Sequence, residues 1–337
     1  MGRLTGERPH CITQINMNNL DKVTSTGAKY SRHPDMINAL RNGIGRPQSL
    51  QVALTNRCNL ACIFCSVAER ELKQEWDYEE LMQAIDFFIA VGIKTIEFSG
   101  GGEPTLHSDF WGFVFYARHK GLKIGLITNG LRLKNFSYDD LVLFDWIRIS
   151  MVALDYQETI ELPDKFPDNV TIGMSYVVGQ KEYHGKRTHW QSDYGQLMKI
   201  REYALKHNAK FVRIVPECFS NENEMNELHE TYQNVMPPFM FQPKRQKQAI
   251  QCWMDSVKPW LHVDGYVYPC NSISLNTDAN RDFAPQYRLC HWTEIEKYYQ
   301  TRGNQSLDIS RCDRCTFTEN NKIIKELLEP MEMEEFV

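Results

Sequence analysis

The sequence predicts an α/β fold built on a parallel sheet. Three observations predict it. Six short apolar runs recur from residue 50 onward. Amphipathic stretches of helical period separate them. The chain's glycine-bearing and polar motifs directly follow those runs, where such sheets gather their chemistry. Strands alternating with helices imply right-handed crossovers between parallel neighbours. Periodicity alone leaves both an open sheet and a partial barrel as solutions.

Residues 1–49 are polar and read as an N-terminal extension. It holds one short helix over 35–41, with Pro34 near its start and Gly43 at its end. The core spans 50–235. Its strands are expected at 50–54 (LQVAL), 94–98 (KTIEF), 122–127 (LKIGLI), 146–150 (WIRIS), 170–178 (VTIGMSYVV) and 210–215 (KFVRIV). The clearest helix is 78–90, with Asp77 as N-cap and Leu81, Ile85, Phe88 and Ile89 on one face. Others are expected at 109–119, 138–144, 190–206 and 223–234. Residues 236–250 carry three prolines and a basic cluster and read as a linker. A smaller C-terminal domain, 251–337, follows. In it Trp260-Leu261-His262-Val263, the turn Asp264-Gly265 and Tyr266-Val267-Tyr268 predict a β-hairpin. The acidic tail LLEPMEMEEFV reads as a fraying helix.

The chain has 337 residues, a formal charge of −5, 42% hydrophobic and 24% charged residues. That composition excludes a disordered chain. No run approaches ~18 apolar residues, which excludes a spanning helix. The N-terminal MGRLTGERPH has no signal-peptide core, and Gly6 stands where a myristoylation signal needs Ser or Thr. Mild acidity argues against strong nonspecific phosphate binding. Ten cysteines without an export signal imply a reducing, cytoplasmic setting, with thiols as core residues, nucleophiles or metal ligands.

Cys58, Cys62 and Cys65 stand in CNLACIFC, on the loop expected after the first strand. Three thiolates at C-x3-C-x2-C spacing suit a soft metal centre. Structural zinc sites recruit four ligands, usually in two pairs. Three cysteines instead supply three corners of a [4Fe–4S] cube and leave one iron open. Zinc with a remote fourth ligand, or a cysteine-rich loop without metal, are the alternatives.

CNLACIFC, with Phe64 before its third cysteine, resembles the hallmark of the radical S-adenosylmethionine (SAM) superfamily. Further matches come in order: Ser99-Gly100-Gly101-Gly102-Glu103-Pro104 resembles the family's GGEP element, and Thr128-Asn129-Gly130 and Ser150 end later strands. The resemblance covers roughly 50–216. It implies a partial (β/α)6 barrel, with Cys58, Cys62 and Cys65 holding a [4Fe–4S] cluster and SAM on the fourth iron. It implies that Gly101, Gly102 and Glu103 meet the SAM amino group, that Phe64 lies by the adenine, and that Asn129 and Ser150 contact ribose or carboxylate. Met174 and Pro216 line the adenine or are plain core and turn. The Gly run is not a Rossmann fingerprint, since position 105 is Thr.

Cys252, Cys270, Cys312 and Cys315 form a second set, with the Asp264-Gly265 turn bringing the first two together. Alone, it suits zinc or iron–sulfur equally. The C-x12-G-x4-C spacing over Cys252, Gly265 and Cys270 resembles the opening of the SPASM domain. No cysteine follows Cys315, a departure that points to the shorter twitch variant and one auxiliary [4Fe–4S] cluster. Cys290 is an alternative ligand. Cys218, after the sixth strand, is a candidate hydrogen-atom or proton donor, against the reading of a buried bystander. Cys11 is incidental. His107 could reach the site. Residues 181–187 (KEYHGKR) are a solvated loop or an anion contact.

The resemblance implies reductive cleavage of SAM to a 5′-deoxyadenosyl radical, hydrogen abstraction from an unactivated C–H bond, and an auxiliary cluster assisting electron transfer. It implies a flavodoxin or ferredoxin-type donor. Peptide, sugar and nucleoside or nucleic-acid substrates stay open. No cobalamin signature is evident, and no membrane partner is expected. The alternative class is a non-catalytic iron–sulfur or zinc protein that binds nucleic acid.

Overall fold

The computed structural model describes residues 27–179, 181–183, 186–188, 194–242, 250–276, 285–310 and 312–330. Cys11, His184, Gly185 and the tail beyond 330 lie outside them.

The strands are β1 Ser49–Val52, β2 Thr95–Phe98, β3 Lys123–Thr128, β4 Trp146–Ser150, β5 Thr171–Val178, β6 Lys181–Tyr183, β7 Lys186–Thr188, β8 Phe211–Pro216, β9 Phe239–Phe241, β10 Trp260–Leu261, β11 Tyr266–Tyr268 and β12 Cys290–His291. The helices are α1 Pro34–Arg41, α2 Tyr78–Val91, α3 Phe110–His119, α4 Tyr138–Leu141, α5 Tyr194–Lys206, α6 Glu222–Tyr232, α7 Ile295–Gln300 and α8 Thr318–Leu328. Asp77 caps α2 by accepting from the amides of Glu79 and Glu80, and Gly92 ends it in the left-handed region at φ 118°.

β1, β2, β3, β4, β5 and β8 lie side by side in that order, all parallel. Right-handed crossovers between successive neighbours put every connecting helix on the same face. The sheet therefore wraps around its other face as an incomplete barrel. Its outer strands, β12 and β9, do not pair with each other.

The helix-facing row explains the apolar runs. Val52, Ile96, Phe98, Ile124, Leu126, Ile147 and Ile149 are buried against Leu81, Ile85 and Phe88 of α2 and Phe110, Phe113 and Val114 of α3. Each such side chain contributes about 1.5–3 kcal/mol on burial.

Two features extend the sheet. β9 falls inside the proline-rich stretch 236–250 and pairs with β8. The hairpin β10–β11 forms about Asp264-Gly265, and β10 pairs with β1 in parallel, Gln51 opposite Trp260. The C-terminal region is thus a continuation of the core sheet. A second apolar cluster lies there. Met36, Ile37 and Leu40 of α1 pack with Trp253, Trp260, Tyr268 and Ile324. Arg41 adds bonds of 3.0 and 2.6 Å from Nε and Nη2 to the carbonyl of Leu327 in α8. No helix among the described residues is long and apolar enough to cross a membrane.

Candidate active site

The loops after β1 and β2 are laced together. The amide of Gly102 donates to the carbonyl of Thr55 at 2.6 Å, and that of Glu103 to Arg57 at 2.8 Å. The fit leaves no room for a side chain: a Cβ on Gly102 would lie 1.8 Å from the Arg57 carbonyl oxygen. Gly101 sits at φ +63°, where a Cβ would lie 2.8 Å from Asn56 Oδ1 and 2.9 Å from the Thr55 carbonyl oxygen. These glycines are demanded by the cysteine loop itself.

Glu103 is buried, and its carboxylate is turned inward. Oε1 accepts from Thr128 Oγ1 at 2.6 Å, Thr105 Oγ1 at 2.7 Å and the Thr105 amide at 3.3 Å. Oε2 accepts from the Asn129 amide at 2.8 Å. Burial pushes its pKa above the ordinary value and outweighs the bonds from Asn129, Thr128 and Thr105. Glu103 thereby joins the ends of β2 and β3. Asn129 continues the link, its Nδ2 donating to Asn59 Oδ1 at 2.7 Å, next to Cys58.

Cys58, Cys62 and Cys65 are half-buried on the β1 loop. Arg70 braces it from Nε to the Asn56 carbonyl at 2.7 Å and from Nη1 to the Val67 carbonyl at 2.8 Å, with Cys65 Sγ 3.8 Å away. Burial raises the Cys58 thiol pKa. Cys62 is pushed up to about 12 by burial, then by the nearby charges of Cys65 and Cys58. The three thiols therefore crowd one another, a disposition a cationic cluster would relieve by holding them as thiolates. Among the described residues no three His, Cys, Asp or Glu side chains are disposed to hold a metal ion. A cluster binds one thiolate per iron and does not ask three to meet at a point. The donor set fits a [4Fe–4S] cluster.

The other positions expected at the site are distributed around it. Phe64 packs half-buried against the core, and Ser150 stands half-exposed at the end of β4. Met174 is fully buried in the core, and Pro216 is buried at the end of β8. His107 is used structurally: Nδ1 accepts from the Asp109 amide at 3.0 Å, so Nε2 donates to the Trp76 carbonyl at 2.9 Å. Cys218 lies close enough to Arg213 to interact with its charge.

The second cysteine set converges. Burial pushes Cys270 up to about 12, followed by the charge of Cys315; Cys252 goes well above its usual value through burial and Cys270. Cys312 rises to about 11 through burial and Cys315. Cys290, on β12, has Glu294 and Asp255 as its charged neighbours instead. The loops are held by Asn276, which accepts from the Arg314 amide at 2.7 Å and donates to its carbonyl at 2.8 Å. Ser272 and Thr316 add a hydroxyl pair at 2.5 Å. These four thiols fit a fully ligated cluster.

Sequence reasoning missed several residues here. Asp155 follows β4, accepts from Tyr176 at 2.7 Å and Gln196 at 3.2 Å, and lies near Cys62. Arg70, Asn59 and Thr128 were also silent. Their signal was proximity in sequence to the cysteines and to the end of β3.

The family model described as the radical SAM superfamily matches residues 52–157. Mycofactocin maturase MftC of Mycolicibacterium smegmatis is 32% identical over 125 residues, 36% of this chain and 31% of that protein. The S-adenosylmethionine-dependent nucleotide dehydratase of Lacinutrix mariniflava is 27% identical over 128 residues, 36% of this chain and 27% of that protein. The chain thus spans about a third of the length of the curated relatives it matches. Among solved structures, Streptococcus suis SuiB bound to S-adenosylmethionine superposes with a TM-score of 0.50 at 13% identity, over 83% of this chain and 76% of SuiB. SuiB bound to precursor peptide SuiA gives 0.50 at 14%, over 81% and 72%. At that identity the likeness is one of fold. The matched segment holds Cys58, Cys62, Cys65 and the Gly101-Gly102-Glu103 turn, and the chain carries a radical SAM superfamily domain over residues 52–157.

Proposed function

We propose that the protein is a radical SAM enzyme that abstracts hydrogen from an unactivated C–H bond, with an auxiliary [4Fe–4S] cluster assisting electron transfer. The observation that carries this reading is the lacing of the cysteine loop to the Gly102-Glu103 turn, through the 2.6 and 2.8 Å bonds to Thr55 and Arg57. When bound and reduced, the cluster with SAM supplies a 5′-deoxyadenosyl radical. Cys58, Cys62 and Cys65 would hold that cluster. Gly101 and Gly102 would let SAM approach the backbone, and Asn129 and Ser150 would position its polar parts. Glu103 would fix the shape of the pocket from beneath. Phe64 and the neighbouring apolar wall would exclude water.

Cys252, Cys270, Cys312 and Cys315 would hold the auxiliary cluster, in a twitch-like region at residues 251–337. Four cysteines leave no iron open for substrate, which favours electron transfer. Cys218, just after β8, would donate a hydrogen atom or proton. A flavodoxin or ferredoxin-type protein would supply the electron. The substrate is a peptide or small molecule: one relative is a mycofactocin maturase and another a nucleotide dehydratase, at similar coverage.

The test is anaerobic. Reconstituted, reduced protein given SAM is expected to form 5′-deoxyadenosine, and a Cys58→Ala/Cys62→Ala/Cys65→Ala variant is not. A protein that carries both clusters by absorbance but neither binds nor cleaves SAM would sink the reading in favour of a non-catalytic role. The auxiliary assignment is tested separately: the triple variant should keep four irons' worth of absorbance, held by the second cysteine set.

A further inference from the structure

The face of the sheet away from the helices sets Glu97, Arg148 and Arg213 among apolar residues such as Ile127, Val177 and Val215, and among the described residues its cations outnumber its one carboxylate. Side chains alternate along a strand. The residues opposite the apolar row include Gln51 on β1, Glu97 on β2, Trp146 and Arg148 on β4, Ser175 on β5, and Phe211 and Arg213 on β8. The register aligns Gln51 with Glu97, Arg148 with Gly173, and Ser175 with Arg213. Trp146 and Phe211 close the lower end of this concavity. Each ring lies across a neighbouring glycine, where a Cβ on Gly125 or Gly173 would sit 2.3 or 2.4 Å from it. By the register Arg148 stands level with Phe211, and Arg213 stands one inward position higher, level with Ser150. Arg148 is two residues, about 7 Å, below the end of β4 at Ser150.

Glu97 is engaged by Lys258 Nζ at 2.8 Å. Arg213 gives Nη1 to Gln242 Oε1 at 3.0 Å. The Nε groups of both Arg148 and Arg213 are buried without a hydrogen-bond partner. The arginines are enclosed by protein yet keep accessible area, as side chains lining a cleft do. Burial lowers both their pKa values, and the charge of Arg148 lowers that of Arg213 further, while the single carboxylate of Glu97, already held by Lys258, offsets part of this at each. A guanidinium stays protonated regardless. Two like charges held together in a low-dielectric cleft are unfavourable without an anion between them.

We infer that Arg148 and Arg213 bind an oxyanion of the substrate, a carboxylate or a phosphate, inside the barrel below the SAM site. The inference rests on the radical SAM reading above. It narrows the substrate class: the molecule enters from the cysteine end with its anionic group leading. The carbon to be attacked then lies a few ångströms above that group, level with the strand ends. Two guanidinium forks suit such a group, since each can make paired bonds to it.

The test measures binding of inorganic phosphate and of glutarate, each by calorimetry, to the reconstituted holoprotein with and without SAM. Variants are Arg148→Gln, Arg213→Gln, Arg148→Lys and Arg213→Lys. One of the two anions should bind the wild type, about tenfold more weakly to each Gln variant and about threefold more weakly to each Lys variant, which keeps charge but loses the fork. The anion that binds identifies the group as phosphate or carboxylate. SAM affinity should change less than about twofold. The proposal is overturned if neither anion prefers the wild type over the Lys variants, which are the gentler changes to folding. It is also overturned if the substitutions weaken SAM about tenfold and leave the anions untouched, since the arginines would then serve SAM. Arginine-dependent anion binding by a protein that never binds SAM would remove the enzyme reading alone.

Discussion

Ser274 Oγ donates a 3.0 Å hydrogen bond to Ser66 Oγ, tying the residue after Cys65 to the short helical turn after Cys270. Arg314, between Cys312 and Cys315, lies 5.7 Å over the ring of Phe219, beside Cys218. The second cysteine set is thus braced to the first through Ser66 and to the segment after β8 through Phe219. A double-mutant cycle over Ser66→Ala and Ser274→Ala should give a coupling of about 1 kcal/mol in urea unfolding. Strict additivity would show that the contact contributes nothing.

Gly102→Ala should abolish the site. Its Cβ would overlap the Arg57 carbonyl at 1.8 Å, and backbone cannot swing aside as a side chain can. The expected loss is about 3 kcal/mol, with SAM binding gone while the second cysteine set still takes up iron. Melting curves and SAM dialysis on the same sample check both halves.

Glu103 gives a signed pH dependence. Its folded pKa is raised above the ordinary 4.5, burial being the largest cause. A raised carboxyl contributes stability below the unfolded value and loses it as pH climbs through the folded one. Glu103→Gln removes that titration. Wild type should therefore gain on the variant as the pH falls toward 4.5, and the difference should shrink toward neutrality. A difference that grows with pH would contradict the assignment. The variant itself should cost about 1–3 kcal/mol, because an amide nitrogen would face the donors on Thr128 or Asn129.

Iron loading should tighten as pH rises. Cys62 and Cys270 are held near about 12 and Cys312 near about 11 as free thiols, burial leading in each case. Raised thiols stabilise the folded apoprotein in their neutral form, and that contribution fades only as pH climbs through those values. Cluster assembly must displace the protons. Uptake should weaken by up to about tenfold for each unit by which the pH falls, per proton released. Iron titrations at about pH 6.5 and about pH 8.5 on the triple and quadruple cysteine variants would separate the two sites.

Much of the core was legible because each strand is a compact apolar run and each helix keeps its period. All six parallel strands fall within a few residues of the positions their runs predict, and Asp77 caps the helix its sequence marks. The cysteines were legible by spacing. What escaped detection depends on partners remote in the chain. The hairpin strand β10 was legible about its Asp264-Gly265 turn, but nothing local says that it lies beside β1. β9 hides among prolines because an edge strand tolerates them nearby. The inner arginines did leave a trace. WIRIS and FVRIVP each set one arginine between buried apolar neighbours, a pattern that a wholly apolar core would not tolerate.

The parallel pairing of Gln51 with Trp260 has a consequence for how the chain is made. β1 leaves the ribosome early, and its outer edge stays unpaired until the far later β10 arrives. An open edge beside an apolar face is a template for association with other chains. Long-range pairing of this kind is also slow to form. A chain cut short before residue 260 would keep that edge open for good, so yield and solubility of shortened forms would report on strand pairing rather than on the missing cysteines.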